Sequence, residues 1–109
     1  MHKSITLLFA GAIALAGSNL YAQKGDAAKG KDVFDSNCSV CHNSDSTDVK
    51  MGPGFKGLFK KAKMSTTGKA STSANVLSKI NEGGNGMPSY KDILSVEEKA
   101  NVIAFLKTL

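Results

Sequence analysis

The densest chemistry in this chain is the pentapeptide Cys38-Ser39-Val40-Cys41-His42. Two thiols separated by two residues can each form a thioether with one vinyl group of a porphyrin, and a histidine directly after the second lies beneath its iron. The pattern is that of c-type haem attachment. Cys38 and Cys41 are expected to be the covalent anchors and His42 the proximal ligand. What fills the sixth position of the iron then separates a carrier from an enzyme.

His42 is the only histidine after His2, so ligation by two histidines of one mature chain is excluded. Met51, Met64, Met87, a lysine or an open site remain. Met51 lies nine residues past His42, a short reach for wrapping around a haem edge. Met64 sits in a lysine- and threonine-rich stretch with no rigid neighbours in the sequence. Met87 has Gly83-Gly84 before it and Pro88 after it, and a methionine in a glycine-rich polar loop has little core to fill. Loop chemistry favours Met87 and leaves the others open.

With a neutral imidazole on one face and a soft thioether on the other, ferrous iron is stabilised and no site is left for substrate. The expectation is a one-electron carrier and not an enzyme. Rival readings fare worse. A peroxidase-like enzyme with an open site wants a general base over the iron, and no histidine remains to supply it. Thiol-disulfide oxidoreductases place their Cys pair after a strand at a helix N-terminus, whereas this pair follows a helical pattern. A zinc knuckle lacks its fourth ligand.

The N-terminus reads as an export signal. His2 and Lys3 precede an apolar run, Ile5 to Gly17, and a polar-to-small stretch, Ser18 to Ala22, with cleavage expected after Ala22. The apolar run is shorter than the roughly 20 residues of a spanning helix, so no stable membrane insertion is expected. Residues 1–22 are thus expected to be a secretory signal peptide, and residues 23–109 a single monohaem domain that is periplasmic or otherwise outside the cytoplasmic membrane. A domain this small is near the lower limit for a self-sufficient apolar core, and a disulfide within the Cys pair would close only a trivial loop. A large apolar cofactor would supply what is missing.

The whole chain carries a formal charge of +5, and all fourteen basic residues are lysines. Without arginine forks or stacking aromatics this is a poor surface for nucleic acid. Lys56, Lys60, Lys61 and Lys63 are the densest basic patch, either a solvated face or a dock for redox protein partners with acidic surfaces. A monomer is expected.

Asp26 is a good N-cap for a first helix in which Ala27, Gly30, Val33, Phe34, Asn37 and Cys38 share a face, which puts the haem motif at its C-terminal end. Gly30 costs about 1 kcal/mol against alanine in a helix interior, and so implies close approach of another backbone. Residues 43–72 lack a period and read as loop around one short helix, with a turn at Gly52-Pro53-Gly54 and apolar anchors at Phe55, Leu58 and Phe59. Val76, Leu77 and Ile80 predict a helix from near Ser73 to Gly83-Gly84. Another loop follows over residues 85–90. Ser95-Val96-Glu97-Glu98 is a capping box opening a last helix with an apolar stripe of Ala100, Ile103, Phe105, Leu106 and Leu109, expected to run to the chain end. No strand alternation or repeat is present, so the fold class is all-α.

Over nearly all of its mature length the chain resembles a small class I bacterial cytochrome c. Gly30 and Phe34 precede Cys38 at the spacings of that family's first helix, and Val102-Ile103-Ala104-Phe105-Leu106-Lys107 resembles its last. The resemblance implies that these helices cross with Gly30 beneath Phe105, wrapped around one covalent haem c. Gly52-Pro53-Gly54-Phe55-Lys56-Gly57-Leu58 resembles the loop whose proline carbonyl accepts a hydrogen bond from the proximal histidine, a role that would fall to Pro53. Gly86-Met87-Pro88-Ser89-Tyr90 resembles the distal loop of the short bacterial members and makes Met87 the sixth ligand. The chain has no tryptophan, so the mitochondrial indole that bonds a propionate has no counterpart. The short interval from His42 to Met87 also fits the compact bacterial branch.

Overall fold

A computed structural model describes residues 24–109. The expected signal peptide and its cleavage after Ala22 lie outside the described residues. Three α-helices follow in order: α1 (Ala27–Asn37), α2 (Ser73–Glu82) and α3 (Val96–Leu106), with a 3-10 turn at Leu58–Lys60 between α1 and α2. Among the described residues the only β-pairing is isolated bridges. The all-α class holds.

Each helix starts where a side chain can take up a free backbone N–H. The Asp26 carboxylate accepts from Lys29 N at 3.1 Å, Thr72 Oγ1 from Asn75 N at 3.1 Å, and Ser95 and Glu98 form a reciprocal capping box. α2 ends at Gly83, whose φ of 64° is in the left-handed region. α3 stops at Leu106 rather than at the chain end, because its last turn tightens: Thr108 N bonds the Phe105 carbonyl at 2.9 Å and Leu109 N that of Leu106 at 3.3 Å.

α1 and α3 cross at close range. A Cβ on Gly30 would run into the carbonyl group of Asn101 and the Cβ of Phe105, and one on Gly25 would strike the Ala100 carbonyl. The predicted pairing of Gly30 with Phe105 is present, and the nearer neighbour is the backbone of Asn101. The side chain of Asn101 is buried at this crossing, where its Oδ1 accepts from Asp26 N at 2.8 Å. The predicted stripe on α3 needs correction on this account. Val102, Ile103 and Leu106 are the buried apolar residues, while Ala100, Phe105 and Leu109 are only partly covered. Asn101 and Lys99 are buried as well, and both are satisfied, Lys99 Nζ donating to the Lys91 carbonyl at 2.8 Å.

Gly30→Ala tests the crossing, because two effects oppose each other. Helix propensity alone would stabilise the protein by about 1 kcal/mol. The collision is with backbone that has no rotamer to escape into, and overpacking costs about 1–3 kcal/mol. The denaturant midpoint of the haem-loaded protein should fall. A rise would mean that the helices separate at no cost.

Candidate functional site

The C-terminal end of α1 delivers Cys38, and a tight turn follows in which Cys41 N and His42 N both bond the Cys38 carbonyl, at 3.1 and 2.9 Å. The chain then returns beside itself. Gly52 N bonds the Cys41 carbonyl at 2.9 Å and Phe55 N that of Asn43 at 2.8 Å, which lays Gly52-Pro53-Gly54-Phe55 along the imidazole. His42 is buried. Its Nδ1 lies 2.8 Å from the Pro53 carbonyl oxygen, and a carbonyl can only accept, so Nδ1 carries the proton. Nε2 is left with a free lone pair, the form in which histidine binds a metal. One face of the ring stacks on Phe55 with centroids 4.2 Å apart and planes at 18°. Gly52 lies so close that a Cβ there would strike the ring.

Phe55 in turn meets Phe34 edge-on at 6.2 Å, and Phe34 meets Phe105 at 5.5 Å. A continuous row of rings therefore runs from His42 to the α1–α3 crossing.

Met87 arrives from another part of the chain. Gly83, Gly84, Asn85 and Gly86 all have positive φ. Gly84 and Met87 exchange two backbone hydrogen bonds, at 2.9 and 3.1 Å, so Asn85-Gly86 forms the centre of a tight turn of the I′ kind, which needs positive φ at both central residues. Lys79 Nζ donates to the Gly83 and Gly84 carbonyls at 3.0 and 3.3 Å and ties this turn to α2. The Asn-Gly pair is itself a strong turn signal in the sequence, and it specifies the conformation of a segment expected above only as a loop.

Cys38, Cys41, His42, Pro53 and Met87 all line one cavity of about 390 Å³. Its apolar wall is also the core: Phe34, Leu58, Met64, Val76, Ile80, Val102 and Leu106 belong to both. Met64 corrects the expectation that it lacks rigid neighbours, since it is buried in this wall. Met51 borders the cavity but is 81% exposed, with its Sδ 3.8 Å from Cys41 Sγ. Burial, reinforced by the nearby Cys41, pushes the Cys38 thiol up to about 11. Redox-active dithiols need the opposite shift. A flat apolar group fits this donor set: two thiols at one edge, one imidazole nitrogen free, and apolar side chains around it.

A family model described as cytochrome C oxidase, cbb3-type, subunit III matches residues 25–106. The chain belongs to this family of c-type cytochromes. Cytochrome c6 of Synechocystis sp. is 30% identical over 100 residues, which cover 92% of this chain and 78% of that protein. Cytochrome c-550 of Bacillus subtilis is 36% identical over 78 residues, 71% of this chain and 57% of that protein. The solved structure of cytochrome c6 from the diatom Phaeodactylum tricornutum superposes with a TM-score of 0.60 at 30% identity, covering 77% of this chain and 93% of that chain. This cytochrome therefore has the small class I fold. Its cofactor is a covalently bound haem c, whose attachment pattern Cys38, Cys41 and His42 fit, and it is a haem-containing electron carrier.

Gly52→Ala probes the proximal arm. Its added methyl must displace the His42 ring, and the expected result is fewer haems per chain and a loss of stability of about 1–3 kcal/mol. Haem content per polypeptide and guanidinium unfolding measure both. Unchanged values would show that the Gly52–His42 contact is not constraining.

Proposed function

We propose that this cytochrome shuttles one electron at a time between redox protein partners outside the cytoplasmic membrane, on a haem held between His42 and Met87. When bound, the haem supplies a one-electron ferric/ferrous couple. Cys38 and Cys41 anchor it covalently. The Pro53 carbonyl keeps the proton on Nδ1 of His42, so that Nε2 faces the iron as a neutral ligand. Met87 supplies the sixth ligand as a soft thioether, which favours the ferrous state. The observation that carries this reading is that Met87, presented by a tight turn, lines the same apolar cavity as the Cys-His motif.

Other features agree. Among the described residues the cavity is lined by no carboxylate and no imidazole other than His42, so the acid-base group that peroxide chemistry ordinarily wants is not provided. Met64 also lines the cavity, but it is buried in the core cluster with the other apolar side chains, whereas Met87 is only half-buried and stands outside that cluster. The role outside the membrane follows from the export signal expected in residues 1–22. No helix of the described residues is long and apolar enough to cross a membrane. Lys56, Lys60, Lys61 and Lys63 are exposed, and Lys61 sits at the rim of the cavity. Among the described residues the only ion pair is Lys31 with Asp35. The four lysines are thus free to meet an acidic partner.

Met87→Ala is the test of ligation. It should abolish the sulfur-to-iron charge-transfer band of the oxidised protein and lower the reduction potential. An unchanged band would sink the assignment. Partner charge is tested separately: the bimolecular rate with an acidic redox protein should fall by about tenfold as salt is raised from low to high ionic strength, and a rate independent of salt would count against an acidic dock.

A further inference from the structure

Tyr90 lies three residues past Met87, and its hydroxyl donates to the carbonyl oxygen of Asn37 at 2.9 Å. Asn37 is the last residue of α1 and directly precedes Cys38. Its carbonyl is one of those a helix leaves without an intrahelical partner, so α1 is capped from a loop 53 positions away. Among the described residues, only the Asn101–Asp26 bond joins a side chain to a more distant segment. The backbone of Tyr90 is held too: its N–H donates to the Ile80 carbonyl at 2.9 Å, and its carbonyl accepts from Ile93 and Leu94 at 3.2 Å. Its ring lines the cavity and packs against the core. Three residues reach at most about 10–11 Å, and Pro88 removes one torsion from that reach. Where Tyr90 is fixed therefore limits where Met87 can go.

We propose that the Tyr90 hydroxyl is a positioning group for Met87. It ties the distal loop to the helix end that carries Cys38, and so keeps the thioether over the haem anchored there. The inference rests on the reading of Met87 as the sixth ligand. Phenylalanine at position 90 keeps the ring and its packing, and removes only the donor. A bond of ordinary strength biases the loop between bound and released by roughly threefold to tenfold.

Imidazole, titrated into the oxidised haem-loaded protein, reads that bias, because it enters the sixth position only when Met87 leaves. Tyr90→Phe should retain its far-UV circular dichroism and haem content, and bind imidazole roughly threefold to tenfold more tightly than the unaltered protein. In a Met87→Ala background the same change should have no effect on imidazole binding. A purely structural tyrosine would lower the unfolding midpoint and leave imidazole affinity where it was, which would overturn the proposal. So would an equal gain in the Met87→Ala background, because the hydroxyl would then act on the cavity and not on Met87. A Tyr90→Phe chain that no longer folds or takes up haem would overturn it as well, by giving the hydroxyl a global role. Failure of the ligand reading shows separately, as Met87→Ala alone binding imidazole no more tightly than the unaltered protein.

Discussion

The close crossing of α1 and α3 is the contact on which the rest of the molecule depends. Gly25 and Gly30 let the two backbones approach to a distance that no side chain would permit, and Asn101 fills the junction with a satisfied polar group. The direction of α1 is thereby set, and with it the place where Cys38, Cys41 and His42 emerge. From the same crossing the ring row Phe105, Phe34, Phe55 and His42 carries packing to the proximal side of the site. An ordinary core would close over such a framework with aliphatic side chains. Among the described residues seven of the nine buried apolar side chains face the cavity as well, so the haem completes the core that a domain of this size cannot build alone.

The two arms of the site are built differently. On the proximal arm, hydrogen bonds from residues 52 and 55 to residues 41 and 43 hold Pro53 and Phe55 against the imidazole, fixing its tautomer and its plane together. The distal arm is a run of four residues with positive φ, held at one end by Lys79 on α2 and at the other by Tyr90. Rigidity on that arm comes from ties to other elements and not from burial, since Gly84, Asn85 and Gly86 are exposed. On the proposed ligation, two such constrained arms would keep the structural change between oxidation states small.

Much of this was legible in the sequence, and the reason is locality. Asp26 and the capping box at Ser95 mark the starts of α1 and α3, and Gly83 marks the end of α2, because caps act over three or four residues; α2 starts at Ser73 as expected, with Thr72 as its cap. The Cys-His motif is contiguous and needed no fold to be read. What was not legible depends on partners distant in the chain. Asn101 is polar and has no place in an apolar stripe; its bond to Asp26 N is what makes it a core residue. Met64 has lysine, serine and threonine beside it in the sequence and so shows no rigid neighbours there, while its neighbours in space are apolar. Tyr90 belongs to a loop that the sequence marks, but nothing local reveals that its hydroxyl reaches Asn37. The turn at Asn85-Gly86 is local as well, since an Asn-Gly pair by itself marks a turn of this kind.

On the proposed ligation both faces of the haem iron are closed, by His42 and by Met87. The most direct measurement is the visible spectrum of the haem-loaded mature protein, oxidised and reduced, with and without carbon monoxide. Closure by both residues predicts a weak far-red band in the oxidised form and a reduced form that does not shift under carbon monoxide. A high-spin spectrum that shifts with carbon monoxide would contradict it, and would mean that the sixth position is open to small ligands.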